Sequence, residues 1–459
     1  MKNLVLLFAL ATAAGFTPQA IAAGAGSADV TPVADVTFSL RTEIADGALV
    51  FVGNGGSIKD VVNPELKVEE GAVVAITVVN ADGAMHDIAV PEFGAQSDQI
   101  VGKGAATTIV FRATKGGTFE YVCTVPGHKA AGMFGKLIVG DVKAAVSTAK
   151  DISKNPMEVA EPVGDRAPKH INYDLVTTEV EGKLSDGSTY RYWTFDNTVP
   201  GPLLRVRQGD TVTINLTNAP DSVNIHSVDF HSVTGPGGGA AVTQVAPGQT
   251  KSFTFKALNP GLYVYHCATP MIAHHISNGM YGMMLVEPEG GLPEVDKEFY
   301  IMQGELYTAQ KHGSSGLQEF SLDKLLDENP EHLMFNGSMD ALTKTYSMEA
   351  NVGETVRMFF GVGGPNLISS FHVIGEIFDR VYDLASLTSP PLTDVQTTVV
   401  PPGGATMVEF DVDYPGRYIL VDHALSRAEK GLAGFLHVKG DADATIFETK
   451  EHIDAASGH

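Results

Sequence analysis

Two stretches of this chain carry residues of the types that can hold a soft metal. Cys267 directly follows His266; His275 and Met280 come shortly after it, and His226 lies upstream. A second set runs in the same order: His86, Cys123, His128 and Met133. In both sets the methionine stands five residues after the second histidine. Two imidazoles and a thiolate, with a weak thioether on the axis, form the blue-copper electron-transfer set. Zinc is the competing metal, although a thioether is an unusual ligand for it. The two cysteines could instead pair as a disulfide if the chain is exported. Each lies in its own His/Met segment, which favours two separate metal sites. His274 competes with His275, and the spacing shared with His128 and Met133 favours His275.

More histidines surround the second set. The stretch "IHSVDFH" supplies His226, Asp229 and His231, and His266 adjoins Cys267. Successive strand residues point to opposite faces, so an inward Cys267 implies an outward His266. His423, at the end of "YILVDH", is a third spare imidazole. Three imidazoles can hold another copper and leave a position open for substrate. One peptide unit would then link two coppers, so that an electron reaching one can pass to the other.

These residues need a scaffold, and the chain repeats one. "EEGAVVAITVVN", "RQGDTVTINLTN" and "NVGETVRMFFGV" each place a glycine (Gly71, Gly209, Gly353) before alternating apolar residues. "GGTFEYVC", "PGLYVYHC" and "PGRYILVD" follow in order, and then "GMFGKLIV", "GMYGMMLV" and "GLAGFLHV". Period-two alternation is the pattern of half-buried antiparallel strands. A repeat of about 140 residues matches one β-sandwich domain. The third unit has Asp422 in place of the cysteine and Leu432 in place of the methionine, so it keeps the sandwich and loses that site.

Length and charge agree with this reading. A chain of 459 residues suggests about three domains. A formal charge of -23 argues against a nucleic-acid partner and permits a basic protein partner. Lys2, the apolar run "LVLLFALATAAGF" and the small residues Ala20 to Ala22 read as an export signal. That run is short for a membrane anchor, and no later segment is long and apolar enough to span a bilayer. Residues 141–165 read as a polar linker, and residues 313–345 as a long insertion with a short helix.

Together the motifs "HSVDFH", "YHCATPMIAHHISNGMYG", "SSFHVIGEIFD" and "LVDHALSRAEKGLAG" resemble the copper-containing nitrite reductases, over roughly residues 166 to 440. The resemblance implies an all-β chain of three cupredoxin-like Greek-key β-sandwich domains in tandem, one more than a basic family member has. The expected layout is a signal peptide at 1–22, an N-terminal cupredoxin at 30–140 and the linker. Cupredoxins at 166–290 and 291–440 follow, then a tail at 441–459. His226, Cys267, His275 and Met280 match the core type 1 copper ligands. His231, His266 and His423 match the type 2 ligands, with His423 reaching across to a neighbouring subunit. Asp229 and His372 match the active-site acids, and Ile374 the apolar residue that crowds nitrite. His86, Cys123, His128 and Met133 would hold a second type 1 copper. The implied enzyme is periplasmic and reduces nitrite to nitric oxide. It assembles as a homotrimer or a multiple of one, and takes electrons from a small c-type cytochrome or cupredoxin.

Two other classes fit less well. A multicopper oxidase uses His-x-His pairs, and this chain has none. A pure electron carrier leaves His231, His266, Asp229, His372 and His423 unexplained. The ligand count predicts three coppers per fully loaded chain, two type 1 and one type 2. Metal analysis with EPR checks this; a single type 1 signal at full loading would remove the N-terminal assignment.

Overall fold

The computed structural model describes residues 34–45, 48–140 and 149–449. The export-signal stretch lies outside them, as do the ends of the linker and tail at 141–148 and 450–459. Among the described residues no helix is long and apolar enough to cross a membrane.

The repeated signatures become repeated strands. Thr211–Asn218 alternates strictly, burying Val212, Ile214 and Leu216, while outward threonines bond across to the next strand, Thr213 to Thr254 at 2.7 Å and Thr217 to Thr250 at 2.8 Å. Its counterparts are Val73–Val79 and Thr355–Val362. Before each strand the chain turns through a glycine at positive φ, 90° at Gly71, 89° at Gly209 and 86° at Gly353. A side chain is strained in that conformation, which explains why glycine recurs there.

The strands form six sheets among the described residues, in three successive pairs. In each pair the opening strand runs parallel to the first-signature strand: Val36–Ala45 with Val73–Val79, His170–Ser185 with Thr211–Asn218, and Lys297–Leu306 with Thr355–Val362. In each, the second and third signatures pair as antiparallel strands. Each pair encloses its own apolar cluster, built around Leu40, Phe51 and Ile76, around Phe195, Ile214 and Tyr265, and around Ile301, Phe360 and Phe371. The fold is all-β and cupredoxin-like.

A fourth cluster joins the second and third sheet pairs, where Leu262, Tyr281 and Met283 meet Tyr300, Phe359 and Met407. Covered on both faces, Tyr281–Glu287 is buried at every position, so its burial does not alternate.

Residues 149–165, read from sequence as linker, are an ordered strap. Ile152 is fully buried in the joining cluster. Its carbonyl accepts from Val199 N–H at 2.8 Å, and Ser153 and Ser338 hydroxyls meet at 2.8 Å. The low apolar content of the stretch concealed that its bonds are made by backbone. The expected insertion does hold a short helix, Leu322–Leu326, capped by the Ser321 hydroxyl on Lys324 N–H. It also sends Gly316–Gln318 to pair with Ser188–Phe195 of the second unit.

Candidate metal centres

His226, Cys267 and His275 have ligand atoms within 4.8 Å of one another, and so do His86, Cys123 and His128. The closing strand pair sets both groups. Cys267 N–H donates to Met280 O at 3.1 Å, and Met280 N–H to His275 O at 3.3 Å. The corresponding bonds in unit one are Cys123 to Met133 at 3.1 Å and Met133 to His128 at 2.9 Å. Both cysteines are free and buried, so no disulfide joins them. Met133 and Met280 are fully buried.

The core group is the tighter one. Cys267 Sγ lies 3.3 Å from His275 Nδ1, and His226 Nδ1 lies 3.3 Å from His275 Nδ1. Burial raises the Cys267 thiol, but hydrogen bonds from His226 and His275 outweigh it and hold the group well below the usual thiol range. Ser227 N–H also donates to the sulfur at 3.4 Å. In unit one the Sγ to Nδ1 distance is 3.5 Å, and burial leads in pushing Cys123 up to about 11. His86 Nδ1 is buried without a partner.

Unit three makes the same loop without these ligands. Leu432 N–H donates to Arg427 O at 3.2 Å, which puts Arg427 where units one and two have a histidine. Arg427 forms an ion pair with Asp422, which stands in the cysteine's place. Asp422 also accepts from Ser370 N–H at 3.0 Å and Ala424 N–H at 3.1 Å. The position is filled by a satisfied ion pair.

On the outer side of Cys267, His266 pairs with a second group. The strands Asp229–Phe230 and Gly261–His266 are antiparallel, with Asp229 opposite His266. Asp229, His231 and His266 offer ligand atoms within 4.8 Å of one another, and the two Nε2 atoms are 3.0 Å apart. Burial leads in lowering the His231 pKa, followed by the charge of His266. Although His231 packs against Gly403, it keeps an exposed edge. His423 is outside this group and faces His372, with ring centroids 5.5 Å apart. His372 Nδ1 is 2.5 Å from the Gln396 carbonyl, which requires the proton on Nδ1. Ile374 is two residues along the same strand, hence on the same face. His423 also lines an open cleft of about 510 Å³ with Ser370, Gln396, Thr397 and Ala424.

Comparisons with known proteins align with this arrangement. Residues 39–140 match the model of copper binding proteins of the plastocyanin/azurin family, and residues 177–291 match the multicopper oxidase model. The copper-containing nitrite reductase of Neisseria meningitidis serogroup A is 50% identical over 310 residues, 67% of this chain and 80% of that protein. The chain belongs to the copper-containing nitrite reductase family. The enzyme from Alcaligenes faecalis is 31% identical over 65% of this chain and 86% of its own length. Among solved structures, copper nitrite reductase from Nitrosomonas europaea superposes with a TM-score of 0.53 at 31% identity, covering 62% of this chain and 99% of that one.

As a nitrite reductase of this family the protein is a copper enzyme, and its donor sets suit the metal: buried free thiols, imidazole nitrogens and buried thioethers. Three partners of these groups were missed in sequence. His86 Nε2 meets Asp82 at 2.9 Å, and His226 Nε2 meets Glu179 at 3.3 Å. In both units a carboxylate thus takes Nε2–H and leaves Nδ1 for a metal. The carboxylate is four residues away in one unit and on another strand in the other, so no shared spacing signals it. Trp193, the only tryptophan, packs on His226 and His275 with centroids 5.7 and 4.6 Å away. Its uniqueness was the one available hint. His274 instead stacks on Phe320 at 3.7 Å, and burial leads in lowering it to about 4. His275→Ala therefore abolishes the core blue absorption, whereas His274→Ala retains it; the visible spectrum of copper-loaded Cys123→Ala protein carrying each change checks this.

Proposed function

We propose that this nitrite reductase converts nitrite to nitric oxide and water, with one electron crossing from a type 1 site to a type 2 site through Cys267 and His266. The observation that carries the reading is their adjacency: one peptide unit connects the buried His226–Cys267–His275 group to the outward Asp229–His231–His266 group. Bound copper supplies the one-electron couple and a Lewis acid for the anion.

The remaining chemistry belongs to side chains. Nitrite takes up one electron and two protons, and one oxygen leaves as water. Asp229, opposite His266, is one proton donor. His372 is the other; its Nδ1–H is engaged by the Gln396 carbonyl, which turns Nε2 outward for the relay. Ile374 restricts how nitrite sits. His86, Cys123, His128 and Met133 hold a second type 1 copper in an N-terminal cupredoxin spanning 30–140, which makes three coppers per chain. The chain is exported to the periplasm with residues 1–22 removed, and a small c-type cytochrome or cupredoxin donates the electrons.

Within one chain His423 sits with His372, not with His231 and His266. This separation supports a type 2 site closed by His423 of a neighbouring copy, in a homotrimer or a multiple of one. Cys267→Ala should abolish donor-driven nitrite reduction while the N-terminal blue centre persists; normal turnover in that variant would refute the electron route. Chains carrying His423→Ala, inactive alone, should regain activity when co-assembled with inactive His231→Ala chains. Verified mixed oligomers that stay inactive would place the site within one chain.

A further inference from the structure

Among the described residues, one close histidine pair is left over from the copper machinery. Three ring pairs lie inside the candidate ligand groups: His86–His128 at 5.0 Å between centroids, His226–His275 at 5.2 Å and His231–His266 at 5.0 Å. His372–His423 at 5.5 Å belongs to the nitrite side. The pair left over is His312–His332, at 5.2 Å and tilted by 41°.

His332 is buried, His312 is half-buried, and both have unsatisfied ring nitrogens. His332 opens the strand His332–Phe335 and is 1% exposed, yet neither of its ring nitrogens has a hydrogen-bond partner. His312 Nδ1 is buried without a partner as well. A buried polar atom left unpaired is costly, and three in one place call for an occupant. Burial, and then the charge of Lys129, lowers His312 to about 4; burial, and then the charge of His312, lowers His332 to about 3. Both rings are therefore neutral at neutral pH and offer lone pairs.

The surroundings select the occupant. Glu331, the adjacent carboxylate, is already engaged: Oε1 takes Lys324 Nζ at 2.6 Å and Oε2 takes the His312 backbone N–H at 3.0 Å. The charges felt by the pair are those of Lys129, Lys324 and Lys430 and of two carboxylates, Glu331 and Glu120, the latter paired with Lys129 at 2.8 Å. A divalent ion needs anionic or additional ligands, and both nearby carboxylates are already engaged by lysines and a backbone N–H. A soft monovalent d¹⁰ ion is satisfied by two imidazoles and adds least to the local positive charge. We propose that His312 and His332 form a separate Cu(I) site, distinct from the catalytic coppers.

The test uses the full-length holoenzyme with Cu(I) itself as the probe. Under anaerobic reducing conditions, copper bound against a competing chromogenic chelator should fall by one equivalent per chain in His312→Ala, while type 1 and type 2 EPR signals after reoxidation stay unchanged. His332→Ala should do the same; because His332 is the more buried, His312→Ala decides if that variant fails to fold. Copper-edge anomalous scattering from reduced crystals should place a peak between the two rings. Equal Cu(I) uptake by wild type and His312→Ala, or a water in place of the peak, would overturn the site.

Discussion

Alternation of side chains across one strand is the constraint on which the two-sided centre depends. At the end of Gly261–His266 the chain sends Cys267 into the sandwich and His266 out of it, since neighbours on a strand cannot share a face. Everything else serves those two directions. Register against Asp229–Phe230 brings Asp229 to the outer side. The bond from Cys267 N–H to Met280 O brings the methionine to the inner side. A one-residue slip would exchange the faces and destroy both groups together.

The third unit shows what the shared loop needs when it holds no metal. Its loop closes on the same bond as in units one and two, Leu432 N–H to Arg427 O, but Arg427 and Asp422 occupy the ligand positions. A position built to surround a cation has been filled by a covalently attached one, with the carboxylate satisfied by backbone N–H groups. The sandwich thus persists because its core and turn glycines do not depend on the ligands.

Much of this was legible in the sequence because it is local or repeated. Period-two strands, the glycines ahead of them and the order His, Cys, His, Met need only neighbours along the chain. The structure brings together the residues of each Cys-centred set, and it separates His423 from His231 and His266. Long-range contacts left no local signal: Glu179 reaches His226 from another strand, and His312 meets His332 across 19 intervening residues. The strap misled for a different reason. Linkers and straps share polar, Pro-containing composition, and only the bonding of the backbone distinguishes them.

That strap also determines where the chain can be divided. Between Lys150 and Arg166 it is stitched to both later units: Lys150 O accepts from Lys183 N–H, Lys154 O from Asn336 Nδ2, Pro156 O from Tyr300 N–H, and Arg166 pairs with Asp210. Gly182 is bare where Ile152 lies against it, since a Cβ would come within 2.6 Å of the Ile152 side chain, and a Cβ at Gly337 would meet the Val199 carbonyl at 2.5 Å and Ile152 at 3.1 Å. In covalent terms the strap follows the first unit, but in packing terms it is the first segment of the enzyme core. A cut upstream of Lys150 leaves the strap bonded to the two later units. A cut at residue 165, where composition puts the border, opens a groove between the two core units and leaves two glycines facing an empty slot.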